Sequence, residues 1–462
     1  MIKKIICLFC TLTAAGWLYG AGIIEERANN FLQTGIHFAS QGEFDNAIEN
    51  FTSAINIAPN LAAAYILRSR ALHASAVQVI KIQPDFSGFE FFTTGGRISE
   101  EQEIILQQAL EDLDLAIKID PNSAIAYKDR GNVYSNLGNF DTAIADFDNA
   151  IQLDPDYAIA YHCRGYAYYY KNDYDQAIPD FTQAIQLDPN FTLAYRARGL
   201  IFFRRGDYDK AIEDYTEVIR LNVFDLEIAY GRRGNAYYNI KEYDKAKEDY
   251  TEALRLDPNL HVLYNNRGNI YKNKEEYDLA IQDYTEAIRL DPNEAIYYNN
   301  RGDAYRLKEE YDLAIADYTE AIRLNPDYKE AYNSRGVTHR LKGEYDKAIA
   351  DYTESIRIDP DYTAAHTNRA IAYNNRGAEY YDRGDYDKAI EEYSEAIRLY
   401  SDHAATNHNR DYAIAYHNRG NAYLDKSDYD NAIADFEAAL RLDPDYPHAR
   451  RHLENAIRQR GY

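Results

Sequence analysis

The stretch Glu294–Asp327, EAIYYNNRGDAYRLKEEYDLAIADYTEAIRLNPD, decides how the rest of the chain is read. Small and apolar residues recur in it at helical spacing in two blocks. The first is Ile296, Tyr298, Gly302 and Tyr305; the second is Tyr311, Ala314, Ile315, Tyr318, Ala321 and Ile322. Lys308-Glu309-Glu310 separates the blocks, and Asn325-Pro326 closes the second. Proline has no amide hydrogen and disfavours helical geometry in the residue before it, so the stretch predicts helix, short turn, helix, stop. One such hairpin cannot bury its own apolar stripe and needs copies of itself on either side.

The copies are present. Pro121, Pro155, Pro189, Pro258, Pro292, Pro326, Pro360 and Pro444 close units in one register, most of them 34 residues apart, a solenoid period. The recurring signature is Tyr-x-x-Arg-Gly-x-x-Tyr, then Tyr-Asp-x-Ala-Ile, then Tyr-x-x-Ala-Ile-x-Leu-x-Pro. Over nearly the whole chain beyond its leader this resembles the tetratricopeptide repeat family. Tyr298, Gly302, Tyr305, Ala314, Tyr318, Ala321 and Pro326 match the consensus positions of that family, while Arg301 stands where the family usually has leucine. The resemblance implies an all-α fold: a right-handed superhelical solenoid of about eleven helix hairpins with a C-terminal capping helix.

A chain of 462 residues with a formal net charge of −24 presents an acidic surface. That excludes a nucleic-acid footprint and disfavours anionic membranes, and its field favours a basic peptide or a divalent ion atmosphere. Cys7 and Cys10 lie in the apolar leader without a second pair, which leaves Cys163 alone in the rest. No intramolecular disulfide is therefore expected there.

Met1-Ile-Lys-Lys4 followed by the apolar run Ile5–Leu18 has the layout of an export signal covering residues 1–22, with cleavage near Gly22 or after Gly16. An uncleaved anchor is the alternative, and an acylated Cys10 is disfavoured by the bulky Phe9 before it. The expected setting is a bacterial periplasm or cell envelope, with no membrane span in the mature chain. Residues 23–121 read as two divergent repeats, the second interrupted by an insertion over about 80–103. That insertion carries Phe86, Phe89, Phe91 and Phe92, and its helix resumes by Leu106. A long loop with four phenylalanines is either a lid or a flap packed on neighbouring helices. Residues 122–360 read as seven regular repeats, with one register fault at Leu221–Tyr230 that predicts a bend. In 361–444 the motif around Arg369 is written again at Arg376, seven residues on, which lengthens a helix without rotating its buried face. A second insertion spans roughly Tyr400–Asp411, and 445–462 reads as the capping helix, polar outside, with Arg450, Arg451, Arg458 and Arg460 around Leu453 and Ile457.

Two ladders run through the repeats. Gly131, Gly165, Gly199, Gly234, Gly268, Gly302, Gly336, Gly377 and Gly420 lie inside first helices, where glycine costs about 1 kcal/mol against alanine, so close packing must offset the cost. Arginines precede them: Arg130, Arg164, Arg198, Arg233, Arg267, Arg301, Arg335, Arg376 and Arg419. Acids recur in step in the second helices: Asp146, Asp180, Asp214, Asp249, Asp283, Asp317, Asp351, Glu392 and Asp435. The stems are expected along the seams between repeats with their heads on these carboxylates; the alternative is phosphate or acidic-peptide binding.

In the resembled family, ligands lie on the inner face of the first helices, one, five, eight and nine residues after the first tyrosine. Here those positions give Tyr166, Tyr169, Tyr170, Arg196, Phe203 and Arg204, an aromatic and basic set. Further on they give Asn235, Asn265, Asn269, Lys272, Asn299, Asp303, Arg306, Asn333 and Arg340, rich in amides. Amides both donate and accept, so such a row can clamp an extended peptide backbone, and the cations can hold carboxylates, a chain terminus included. The partner class is a protein or extended peptide, with basic segments or a free carboxylate. A solvated face with no ligand is the alternative.

His403, His408 and His417 do not have the spacing of a metal pair, and Cys163 and His162, adjacent on one helix, point about 100° apart. No catalytic motif and no cofactor is expected, and the reading is a non-catalytic scaffold. The rivals are an envelope enzyme accessory or small-ligand module using the phenylalanine-rich insertion, and a purely structural spacer.

Overall fold

The computed structural model describes residues 23–78, 99–221, 225–402 and 409–461. Among them are 23 helices and no strand, and they divide after Leu256 into two compact units. The first unit holds six hairpins. They are α1 (Ile23–Ser40) with α2 (Phe44–Ile57), α3 (Ala62–Gln78) with α4 (Glu100–Ile119), and α5 (Ala124–Asn136) with α6 (Phe140–Leu153). Then come α7 (Ala158–Tyr170) with α8 (Tyr174–Leu187), α9 (Thr192–Arg205) with α10 (Tyr208–Leu221), and α11 (Leu226–Asn239) with α12 (Tyr243–Leu256). The second unit holds five hairpins and a last helix. These are α13 (His261–Asn273) with α14 (Tyr277–Leu290), α15 (Ala295–Leu307) with α16 (Tyr311–Leu324), and α17 (Lys329–Leu341) with α18 (Tyr345–Ile358). They end with α19 (Thr363–Asp382) and α20 (Tyr386–Asp402), α21 (Asn409–Asp425) and α22 (Tyr429–Leu442), and α23 (Pro447–Arg460). No described helix is long and apolar enough to cross a membrane.

The hairpin quoted at the outset shows how each unit is built. Its turn places Glu309 in the left-handed region, φ 64°, so that Glu310 N–H returns to the Tyr305 carbonyl. Its end is fixed by more than proline: the Asn325 side chain accepts from Asp327 N–H at 3.2 Å, and Asp154, Asp188, Asp291 and Asp359 make the same turn. Ala314, Tyr318 and Ala321 are fully buried as expected. Ile296 is not: it is 42% exposed, and Tyr297 and Ala304 are buried instead. The reason is that a first helix is packed from both flanks. Its glycine side meets its own second helix, its Ala304 side meets Ala280 and Tyr284 of the preceding hairpin, and Ile296 lies two turns from Asp303 on the face between. The same alanine–ring–alanine contact between successive hairpins recurs at Ala143, Phe147 and Ala167, at Ala211, Tyr215 and Ala236, and at Ala348, Tyr352 and Ala372. Each buried ring contributes roughly 1.5–3 kcal/mol that a lone hairpin would forgo.

The glycines are where two helices touch. A Cβ on Gly302 would stand 2.9 Å from the Tyr318 ring, and one on Gly234 would stand 2.7 Å from that of Tyr250. The arginine heads meet the acids as expected, in bidentate pairs at 2.6–3.0 Å, from Arg130–Asp146 through Arg301–Asp317 to Arg419–Asp435. The pair lies within one hairpin, however; the tie across the seam is a further bond to the preceding hairpin, such as Arg301 to Thr285 at 3.1 Å. Each guanidinium also sits over the tyrosine three residues before it, 5.8 Å for Arg301 and Tyr298, so that tyrosine is a half-buried platform and not a core residue. Arg68 and Asp112 form a further pair at 2.6 and 2.8 Å, although the insertion separates them by 44 residues.

Several boundaries differ from the expectation. α4 starts at Glu100, because Ser99 and Gln102 form a capping box, so the insertion closes at 98 and not about 103. α19 does run through both motif copies, and they divide one arginine's work: Arg369 reaches back to Thr353, while Arg376 takes Glu392. Extension of α20 to Asp402 and an early start of α21 at Asn409 shrink the second insertion to 403–408. In α23, Ala449 and Ala456 are the buried residues and Ile457 is exposed. At the register fault, Asp225 takes a left-handed φ of 56° where other repeats have their proline turn. The leader, the phenylalanine-rich segment, residues 222–224 of the fault, and His403 and His408 lie outside the described residues.

Candidate peptide-binding face

In the first unit the aromatic set mostly turns inward. Tyr166 and Tyr169 are buried with Phe181, Leu200 and Ile201, and Tyr170 stacks on Phe140 at 5.6 Å. Arg196 is buried and bonded to Asp225 at 3.2 Å. These four support the face and do not line it, because rings this large are drawn into the seams between hairpins. Phe203, Arg204 and Asn235 do come together. With Leu200, Tyr208, Tyr215 and Arg232 they line a cavity of about 250 Å³. Asn235 accepts from the Tyr250 hydroxyl at 2.7 Å, and the exposed Arg204 guanidinium lies 5.3 Å from the Tyr169 ring centre. Arg232, which the sequence reading missed, is 4% exposed. The signal was available: it stands where Asn266 and Asn300 stand in later repeats, one residue beyond the offsets considered.

In the second unit the amides serve the protein itself. Asn300 donates to Asn265 at 2.8 Å and Asn368 to Asn333 at 2.9 Å, tying adjacent first helices together. Asn269 accepts from the Tyr284 hydroxyl at 2.7 Å, and Asp303 from that of Tyr318 at 2.8 Å. Asp303 also faces Lys272 and Arg306, each at 3.5 Å. Asn299 is buried. Neighbouring helices and buried tyrosine hydroxyls thus already engage Asn265, Asn269, Asn333 and Asp303, while the Asn299 side-chain oxygen has no hydrogen-bond partner among the described residues. Arg340 differs: among the described residues it meets no carboxylate at ion-pair distance, and its Nε has no hydrogen-bond partner.

Burial raises the Cys163 thiol to about 12 and drives His162 down to about 3, with Arg196 adding to the latter. A protonated thiol beside a neutral imidazole packed on Phe191 is not a nucleophile. His417 is bonded to His452 at 3.1 Å and Tyr446 at 3.2 Å, inside the contact between α21 and α23.

Tetratricopeptide repeat profiles match residues 113–145, 131–170, 164–224, 228–260, 261–294, 302–341, 327–402 and 413–446. The chain belongs to the tetratricopeptide repeat family. Among solved structures it is similar to the C-terminal part of a repeat-containing protein from Cytophaga hutchinsonii, at 22% identity over 56% of this chain and 99% of that one, TM-score 0.48. It is also similar to MamA from Desulfovibrio magneticus RS-1, at 22% identity over 37% of this chain and 96% of that one, TM-score 0.35. A third is a tetratricopeptide repeat protein from Parabacteroides merdae, at 19% identity over 60% and 99%, TM-score 0.38.

Proposed function

We propose that the chain is a non-catalytic scaffold that binds protein or extended peptide partners on the face formed by its first helices. In this reading the cavity of Phe203, Arg204, Arg232 and Asn235 seats one partner side chain, or a chain terminus, that carries a carboxylate. The observation that carries it is the lining: apolar and aromatic walls, two guanidinium groups, and no carboxylate among the described residues that line it. A volume of about 250 Å³ holds one side chain and is below the usual range for small-molecule sites. Around it the body is acidic, with a net charge of −24, so flanking basic residues would be drawn to the surface while the cavity takes a single anionic group. The partner would then be of mixed charge. The setting we propose is the bacterial periplasm or envelope, on the strength of the leader Met1–Gly22.

The test is a titration of the full chain with peptides ending in a free carboxylate or an amide, each with basic flanks. The expected result is preference for the acid, with about tenfold weaker binding for Arg204→Gln. Equal affinity for the two peptides, or no loss in that variant, would overturn the reading.

A further inference from the structure

First helices of the second unit are tied to one another by side chains 35 residues apart. Asn300 donates to Asn265 at 2.8 Å, and Asn368 to Asn333 at 2.9 Å. At the last junction the same two places hold His417 of α21 and His452 of α23. Their Nε2 and Nδ1 atoms are 3.1 Å apart, and their rings stack at 5.0 Å. An amide keeps its charge state across the working pH range; an imidazole does not. The neighbours assign the hydrogens of this tie. His452 Nδ1 lies 2.6 Å from the side-chain oxygen of Asn421, which only accepts, so Nδ1 carries the hydrogen and His417 Nε2 is an acceptor. His417 then bears its own hydrogen on Nδ1, towards the Tyr446 hydroxyl at 3.2 Å. A proton added to His417 would set a second N–H on the 3.1 Å contact, head to head with the first.

The surroundings give the extra charge little relief. α23 brings His448 and Arg451, both adverse. α22 brings the Phe436 ring, 5.7 Å from His417 and 5.8 Å from His452, while its Asp435 is held by Arg419. Asp425 of α21 favours a charged His452, but it already accepts from the Tyr381 hydroxyl of α19. α20 meets α21 through Ala396 and Leu399, and its Asp387 is paired with Lys426. Asp443 and Arg410 act on Tyr446 in opposite senses. Burial therefore lowers His417 to about 4, with His452 and His448 adding to it and a bond to Asn418 partly opposing. Burial, Arg451 and His448 lower His452 as well. The helix held by this contact is lightly attached: its buried side chains are Ala449 and Ala456, Leu453 is half-buried and Ile457 exposed.

We propose that the His417–His452 contact is an acid-operated latch on the capping helix, whose protonation frees α23 from the last hairpin. Release uncovers Ala432, Phe436 and Ala439, a flank of the alanine–ring–alanine kind that joins hairpins elsewhere. A histidine lowered in the docked state favours docking above pH 6.5 and release as pH falls towards 4. From pH 7 to pH 5, His417 alone shifts the balance about twentyfold towards release. The latch lies wholly in the second unit and does not depend on the cavity of Phe203 and Arg204.

The test is hydrogen exchange of the full chain at pH values from 7 to 5, corrected for the intrinsic rate at each pH. Peptides from α23 are expected to lose about twentyfold in protection relative to peptides from α14. The double variant His417→Asn with His452→Asn rebuilds the amide tie of Asn265 and Asn300, and should keep the α23 protection equal at both ends of the range. Arg451→Gln provides an independent check, because this exposed side chain helps to lower His452 and its removal should move the loss to lower pH. A loss that persists unchanged in the double variant would overturn the proposal. So would equal α23 protection at pH 7 and pH 5 in the parent chain, or a midpoint that Arg451→Gln leaves in place.

Discussion

The first-helix faces of the two units use the same repeat positions differently. In the first unit, Tyr166 and Tyr169 fill those positions with rings that are pulled into the seam against Phe181 and Leu200. In the second, Asn265, Asn269 and Asp303 fill them with polar groups that satisfy a neighbouring helix or a buried hydroxyl. Both solutions serve the stack before they serve a partner. A side chain at a ligand-facing position is therefore a candidate only after its internal obligations are counted.

Truncation should expose this contrast most strongly. Tyr166→Ala removes a buried ring and should destabilise the first unit by about 3–5 kcal/mol, whereas Asn269→Ala removes the acceptor of one buried hydroxyl and should cost the second unit about 1–2 kcal/mol. Hydrogen exchange resolved by peptide reads each unit separately. Similar losses for the two variants would mean that the rings are less engaged than their burial shows. Next come the glycines, which should treat the units alike. Gly234→Ala, with its Cβ 2.7 Å from the Tyr250 ring, and Gly302→Ala, 2.9 Å from Tyr318, should each cost about 1–3 kcal/mol by overpacking. Gly199→Ala should cost less than either, since its nearest neighbour is the Asp214 Cβ at 3.1 Å.

Acid should treat the two units alike. Burial drives His73 to about 4 and His162 to about 3 in the first unit; in the second it drives His417 to about 4 and also lowers His452. A depressed histidine contributes stability that is whole above its unfolded value near 6.5 and is lost as pH falls towards the folded value. Asp180, Asp214 and Asp249, raised chiefly by burial, act in the opposite sense and only nearer the carboxylate range. Between pH 6.5 and 5 both units should therefore lose protection, and His162→Phe should flatten that loss in the first unit alone. The smallest expected effect is a gain: Glu309→Gly relieves a left-handed backbone at φ 64° and should stabilise the second unit by roughly 1 kcal/mol, read as a shift in urea midpoint.

Much of the fold could be read from residues alone because the period repeats its own constraints. Glycine opposite Tyr318, arginine in step with Asp317, and proline after Asn325 recur with the period, and the structure shows them together. What escaped was what a single helix cannot reveal. Ile296 and Tyr297 are adjacent, and which of them is buried depends on the hairpins either side. The Ser99–Gln102 capping box was present in the sequence but hidden beside a long insertion. The site suffered most: offsets taken from a resemblance select a direction on a helix, and Tyr166, Arg196 and Asn299 lie in that direction yet are buried. Arg232 was passed over because it stands two residues after Tyr230, outside the offsets that the resemblance supplied.

The most direct test places a photoreactive phenylalanine analogue at Phe203, in the wall of the cavity, and at Leu115, exposed on a second helix, and maps crosslinks in the native host by mass spectrometry. The account predicts that position 203 labels partner segments carrying an acidic side chain or a chain terminus beside basic residues, and that the labelling is lost in Arg204→Gln while position 115 gives none of it. Equal labelling from both positions, or crosslinks from 203 only to this chain's own residues, would contradict it.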